Sequence, residues 1–533
     1  MRDRRDPTDR GRPTDRGYAI ALMALLLLPL LAFTGLAVDL GGWYARAAAI
    51  QRTADAAALG GVAALPLGPT AAANGALQVA AANGFVDGVD GISVTATKVG
   101  ADQLQVTISD DQVPQYFTGL FRSGVSIERS ALAEYIPPVR MGSPRNFLGT
   151  ANLSTSVSGV PSSAREFFWL AVNSPCAMGE DGDLLSSWYN AQWSGGFIGC
   201  PIPRTPAPGG GIITNPTYSA DGYIYGVRVD EGYTGGPITI QVYDAAYCGA
   251  GVDFALNGSS SFTTTYTVRA PAPNPYEGAV LHTRTLTGAA SGSSGNCSTG
   301  ASGYRGRWRD LHTISSPTPG DTYAVQVQAT APVTNQRGSV NQFSLRVRRG
   351  ATFQACSSDP FDTQVAPDAN CPNVFALENM SVFANSPGEA AEFFLASIGP
   401  EHSGKTLVID LFDPGEGGDE LRLVDPNGDV VSFQRRIIPR YPGEIAPAGG
   451  FGPVSESVVN ISASGPQPGP NRLSAARYND RQLQLVVELP PDIAVAYGGR
   501  TWWRVRYDFE GSNVTDRTTW SVSVRGDPVR LVE

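Results

Sequence analysis

The stretch YAIALMALLLLPLLAFTGLAV, Tyr18 to Val38, carries no charged residue. At ~1.5 Å per residue it is long enough to cross the ~30 Å hydrocarbon core of a bilayer as one helix. A cleaved secretory signal would need a shorter apolar core with a small-residue cleavage site behind it. Here the run is too long and more helix follows, so the expectation is an uncleaved, single-span anchor. Pro29 lies inside the run and frees one backbone carbonyl, a kink that a helix in lipid tolerates when neighbouring groups take up the freed oxygen. Arginine sets the orientation: Arg2, Arg4, Arg5, Arg10, Arg12 and Arg16 precede the run, and only Arg46 and Arg52 follow in the first turns after it. By the positive-inside rule the N-terminus faces the cytoplasm and everything after Asp39 lies outside.

Beyond the run, Asp39 to Leu65 keeps an apolar or small stripe through Leu40, Trp43, Ala47, Ile50, Ala54, Ala58 and Val62, close to helical spacing. Small residues four apart, Ala54 with Ala58 and Ala57 with Gly61, permit close approach of a second helix. That neighbour is expected in the chain's own domain or in a partner; an alanine-rich helix with no such role is the plainer alternative.

The order Gly17, long apolar run, Asp39, Gly41, Tyr44, Arg46, Ile50-Gln51, then Ala54-Asp55-Ala56-Ala57-Ala58-Leu59 resembles the N-terminal signature of TadG-like proteins. These are the TadE/G-like group of Flp (tight-adherence) pilus-assembly proteins, and the resemblance covers about the first 65 residues. It implies a bitopic protein of the bacterial cytoplasmic (inner) membrane, with no enzymatic role of its own and other pilus-assembly membrane proteins as partners. Two departures limit what carries over. The fifth residue after Gly17 is Leu22, where pilins of this group place Glu, so incorporation into a fibre is not implied. The Asp-x-Ser-x-Ser metal motif of a von Willebrand type A domain is absent, and metal-dependent adhesion does not follow.

The rest of the 533-residue chain reads as β-rich. Gly (61) and Pro (40) make about a fifth of it turn-formers, and only 17% is charged, a texture of many short strands. The net charge of −10 argues against nucleic acid, which needs a basic stripe. Cys176, Cys200, Cys248, Cys297, Cys356 and Cys371 all fall in the part expected outside, an even number suited to disulfides in an oxidising compartment. Pairing of sequence neighbours, Cys176–Cys200, Cys248–Cys297 and Cys356–Cys371, closes the shortest loops, although spacing alone leaves 15 connectivities open.

The fold class expected is an α+β, pilin-like base on a long N-terminal transmembrane helix, followed by two tandem all-β sandwiches. Residues 1–16 form a disordered cytoplasmic tail, 17–65 the spanning and continuing helix, and 66–136 a small α+β module. Within the module a second helix covers Thr70 to Asn83, strands cover Ile92 to Val99, Gln103 to Ser109 and Val125 to Tyr135, and a short amphipathic piece begins at Val113. Residues 137–150 read as a linker, 151–350 as the first sandwich and 351–533 as the second. The sandwiches rest on an internal repeat: TYSADGYIYGVRV, GGPITIQVYDAAY, DTYAVQVQA and NQFSLRVRRG match GEAAEFFLASI, GKTLVIDLFDPGE, RTWWRVRYDFEG and TTWSVSVRGD. Val242-Tyr243-Asp244 thus aligns with Leu411-Phe412-Asp413, and Phe343-Ser344 with Trp520-Ser521.

Few motifs suggest chemistry. Gly399 to Thr406 (GPEHSGKT) fits G-x-x-x-x-G-K-T, but a phosphate loop must open a helix, and here Lys405-Thr406 leads into the strand-like LVIDLFD. A hairpin loop is expected. The acidic set Asp410, Asp413, Glu416, Asp419 and Glu420 fits no calcium loop, and Glu180, Asp181 and Asp183 are a weaker version of it. No nucleophile-and-base motif is present, and His282, His312 and His402 stand apart in sequence. Trp188, Tyr189, Trp193 and Trp502-Trp503 suit either an adhesive surface or a core plug. The expected function is therefore non-enzymatic and cofactor-free: a membrane-anchored pilus-assembly component whose outer region meets proteins, envelope or a host surface. The competing reading is a membrane-anchored envelope hydrolase or carbohydrate-binding protein.

Overall fold

The computed structural model describes residues 16–65, 69–99, 102–120, 124–136, 139–149, 168–173, 188–189, 213–214, 220–244, 254–255, 262–272, 274–288, 307–330, 339–356, 370–386, 391–412, 420–439, 452–460, 478, 481–508, 514–526 and 529–532. The chain divides into two compact units, Met1–Pro137 with Asp527–Glu533, and Pro138–Gly526.

The first unit is built on helix α1, Arg16–Val62, which runs on through Pro29 and joins the apolar run to the amphipathic segment as one element. Helix α2, Pro69–Ala82, opens on a proline, whose missing N–H costs nothing in a first turn. It closes where Gly84 takes a φ of +87°. There the amides of Gly84 and Phe85 donate back to the carbonyls of Ala81 and Ala80, a glycine-terminated helix end. Strands β1 (Ile92–Lys98), β2 (Gln103–Asp110) and β3 (Ile127–Tyr135) pair antiparallel in sequence order. In β2, Leu104, Val106 and Ile108 are fully buried, the alternation of a sheet with one covered face. Their core partners are Ile50, Ala54, Ala57, Ala58 and Val62 of α1 and Ala72, Ala76 and Ala80 of α2. The stretch from Val113 differs from the short helix expected: among its described residues Thr118–Leu120 winds, as a single 3-10 turn.

The fourth strand of this sheet comes from the far end of the chain. Val529–Val532 pairs antiparallel with β3, Val529 opposite Tyr135 and Val532 opposite Leu132. Residues 527–533, expected in the second sandwich, therefore belong to the first unit, and Pro138–Gly526 is an insertion between two neighbouring strands. The physical reason is an open edge: without Val529–Val532 one side of β3 would present unpaired backbone groups.

Among the described residues the second unit is built mainly from two large antiparallel sheets facing one another, with a separate two-stranded pairing of Trp188–Tyr189 and Ile213–Thr214. One runs through strands Trp308–Ile314, Ile238–Asp244, Ser339–Arg349, Phe168–Asn173, Met380–Ser386, Val514–Arg525, Thr406–Phe412 and Gln482–Glu488. The other runs through Val280–Gly288, Phe262–Arg269, Thr322–Thr330, Tyr223–Arg228, Asn373–Ala376, Met141–Gly142, Ala391–Ser397, Trp502–Asp508 and Glu420–Val424. Aromatic rings fill the gap: Phe343 meets Tyr225 and Tyr266 edge-on, and Phe393 meets Trp520 in the same way.

The four repeated strands occupy equivalent places. Ile238–Asp244 pairs with Ser339–Arg349 in one half, as Thr406–Phe412 pairs with Val514–Arg525 in the other. Tyr223–Arg228 pairs with Thr322–Thr330, as Ala391–Ser397 pairs with Trp502–Asp508. The halves are fused, however. Phe168–Asn173 pairs with Ser339–Arg349 on one side and Met380–Ser386 on the other. Asn373–Ala376, beyond the expected boundary at 350, pairs with Tyr223–Arg228 of the first half. Nor is 137–150 a free linker. Met141–Gly142 and Phe147–Leu148 are strands, and Met141, Arg145, Asn146 and Leu148 are buried. Backbone groups buried between two halves must find partners, and these short strands supply them.

Cys356 and Cys371 form a disulfide across a 15-residue separation. Cys176, Cys200, Cys248 and Cys297 lie outside the described residues, as do residues 1–15, Trp193, the acidic residues 180–183 and 413–419, and most of the Ser-Gly-rich stretch 287–302.

Candidate functional site

The signature residues of α1 divide into two sets by where their side chains go. Asp39, the first residue past the apolar run, is 1% exposed. Its carboxylate accepts hydrogen bonds from the amides of Tyr116 (2.9 Å), Phe117 (3.0 Å) and Thr118 (2.6 Å) and from the Thr118 hydroxyl (2.7 Å). Desolvation alone would raise its pKa, but these hydrogen bonds from Thr118, Tyr116 and Phe117 outweigh it and hold the group at about 2. Two turns on, Arg46 donates to Asp110 at 2.7 Å, and its guanidinium lies 4.5 Å from the centre of the Phe85 ring. Between them, Trp43 donates its indole N–H to the Pro114 carbonyl at 3.3 Å. Gln51 donates to Asp55 at 2.8 Å and to the Ser130 carbonyl of β3 at 3.2 Å.

These bonds tie α1 to the 113–118 segment, to β2 and to β3. They are spaced about a turn apart because residues three, four or seven positions apart share a helix face. Ala54, Ala57 and Ala58 lie on the same buried side. A Cβ at Gly61 would stand 2.6 Å from a Leu104 methyl and 2.9 Å from the Ala72 carbonyl, and one at Gly60 2.7 Å from a Val79 methyl. The close neighbour permitted by the small residues is thus α2 of the same unit.

The second set faces away. Gly41 has nothing within 4 Å of where a Cβ would sit, Tyr44 is 82% exposed, and Ala45 and Ala48 are exposed. Pro29 is exposed within the apolar run, and Gly17 lies in the first turn of α1. The partner groups, Asp110, Phe85, Pro114 and the 116–118 amides, escape sequence reasoning because they sit on other elements. The Gly-Phe pair after α2 and the aspartate ending β2 gave no motif to follow.

Elsewhere, Gly399 to Thr406 forms a 3-10 turn, Pro400–His402, leading into strand Thr406–Phe412 and not into a helix. His402 is buried in that turn. Trp503 is buried and Trp502 half-buried, as alternation along a strand requires. His282 and His312, distant in sequence, stack at 5.8 Å between ring centres; burial first, and His282 second, lower the His312 pKa. Among the described residues no group of three or more His, Cys, Asp or Glu side chains could hold a metal ion.

No curated protein matches the chain. Among solved structures, the N-terminal CBM22-1–CBM22-2 tandem domain of Paenibacillus barcinonensis Xyn10C is 12% identical. That likeness covers 69% of this chain and 100% of that one at a TM-score of 0.14, too low to carry an argument. A family model does match, over the part of α1 that holds every residue of the polar set: residues 17–64 correspond to the family described as "Putative Flp pilus-assembly TadE/G-like".

Proposed function

We propose that the chain is a non-enzymatic, single-pass component of Flp (tight-adherence) pilus assembly, held in the bacterial inner membrane with its N-terminus inside. The observation that carries this reading is the coincidence of the family match, residues 17–64, with the helix that is apolar at one end and bonded to a small sheet at the other. Among the described residues one helix is long and apolar enough to cross a membrane. The arginines before it favour an inside N-terminus. The inward polar set gives the helix a fixed mount, and the outward set, Gly41, Tyr44, Ala45 and Ala48, is left for partner helices of the assembly machinery. The β-rich insertion presents surface to pilus components, envelope or host, and its role involves no bond-making step.

The test is crosslinking in membranes of a tight-adherence-competent bacterium, followed by purification of the full chain and mass spectrometry. Pilus-assembly membrane proteins should co-purify, and their yield should fall with Tyr44→Ala plus Ala48→Arg, exposed changes that leave folding within about 0.5 kcal/mol. Recovery of an envelope glycan with no pilus component would overturn the reading.

A further inference from the structure

Within the apolar run, Gly35 is buried while the described residues around it are exposed. What covers it is the Phe117 ring, so close that a Cβ at Gly35 would lie 2.6 Å from the ring's first carbon. The segment bearing that ring is fixed to the helix at the next turn, by Asp39 through the amides of 116–118 and by Trp43 through the Pro114 carbonyl. Val113 is buried at the segment's root. Tyr116 and Phe117 nevertheless remain 71% and 48% exposed. Two adjacent aromatics are thus held outward beside a helix whose own surface there is apolar and uncovered.

Position along the helix says what covers them. From Tyr18 to Gly35 the rise is about 25 Å, so if Tyr18 lies near one face of a ~30 Å hydrocarbon core, Gly35 lies near the other. Asp39, one turn further, is then at the polar boundary, where its carboxylate is already satisfied by four donors. Aromatic rings are favoured at that depth, with apolar bodies in the acyl region and polar edges among headgroups.

We propose that Val113–Leu120 is a membrane-interface foot: Tyr116 and Phe117 enter the leaflet beside α1 on the side of the small sheet and set how deep the anchor sits. The occupant of this apolar surface is lipid, because the surface continues that of the spanning segment without a break. The inference rests on the anchor reading given above.

The full chain is made with p-benzoylphenylalanine in place of one residue, as Tyr116→p-benzoylphenylalanine, Phe33→p-benzoylphenylalanine or Val99→p-benzoylphenylalanine. Each is reconstituted in phosphatidylethanolamine–phosphatidylglycerol vesicles and irradiated, and adducts are identified by mass spectrometry. Phe33 lies in the apolar run, and Val99 is exposed at the β1–β2 turn, the opposite end of the small sheet from the Ile92 and Asp110 pair, which leads to the foot. Lipid adducts at 116 comparable with those at 33, and several-fold above those at 99, are expected. Adducts at 33 without adducts at 116 overturn the foot and leave the anchor standing. Absence of lipid adducts at 33 overturns both. Adducts at 116 to a second copy of the chain, in place of lipid, also overturn the foot.

Discussion

The two units solve burial by different means. In the first, two helices lie on a sheet, and the contact of helix with helix is largely Ala and Gly, with Ala54, Ala57, Ala58, Gly61, Ala72, Ala76 and Ala80, while Leu104, Val106 and Ile108 fill the sheet side and polar bonds from Asp39, Arg46 and Gln51 stand at the rim. In the second, two sheets face one another, and the fully buried side chains include Trp503, Trp520, Tyr225, Tyr266, Phe343 and Phe393. Helix backbones can approach closely when their side chains are small, whereas facing sheets stand ~10 Å apart and need large side chains to fill the gap. The helix pair of the small unit thus gains closeness of contact with little apolar volume, and the polar bonds fix α1 along its rim. The large unit relies on mass of core.

The largest expected effect falls on the aromatic core. Trp520→Ala should cost about 3–5 kcal/mol, read by denaturant unfolding of the full chain, with hydrogen exchange quickening across Pro138–Gly526 and not at α2. Equal loss of protection in α2 would break the separation of the units.

Gly61→Val should cost about 1–3 kcal/mol by overpacking against Leu104 and the Ala72 carbonyl, with exchange quickening in α1, α2 and β2. A neutral result would mean that the small unit is not held by close contact. Arg46→Ala should cost about 1–2 kcal/mol, since the Asp110 partner is buried while the arginine is partly solvated. Arg46→Lys should recover only part of it, having one point charge where the guanidinium also covers Phe85.

Smaller effects sharpen the contrast by pH. His312 has a folded pKa below its ordinary value of 6.5, so the unfolded chain takes up the proton first. Stability from that site is full above about pH 6.5 and declines as pH falls through the lowered folded pKa. His312→Gln should remove this part of the acid slope of the large unit. Asp39 has its folded pKa near 2 against 3.8, so its contribution is present above about pH 4 and is lost only as pH approaches 2. Between pH 6.5 and 4 the exchange rates of the Tyr116–Thr118 amides should therefore show no loss of protection due to Asp39. Asp39→Asn should raise those rates about tenfold at neutral pH by weakening the acceptor.

Much of the small unit was legible. Helix α2, expected over Thr70 to Asn83, spans Pro69–Ala82, and β1 and β2 fall within a residue of their expected ends. Local signals suffice there: prolines before the helix, glycine after it, alternation in the strands. The signature residues Asp39, Arg46 and Gln51 were visible as polar residues at fixed offsets, and so was Asp55, which accepts from Gln51, but the hydrogen-bond partners on other elements were not, being 64 to 79 residues away. The repeat in the large unit was visible because equivalent strands keep similar apolar alternation. Its fusion was not, because edge-to-edge pairing uses backbone groups that every residue carries.

The sequence alone determined an apolar span with an arginine-rich leader, a helix with small and polar residues on set faces, and a twofold repeat of strands, since each follows from spacing along one stretch of chain. Only the tertiary structure decided that the small residues serve α2, that Phe117 lies on Gly35, that residues 138–526 are inserted between β3 and Val529–Val532, and that the repeated halves share two sheets. Those outcomes depend on which distant surfaces and open strand edges meet, and a strand of four residues such as Val529–Val532 carries no mark of the edge it will close.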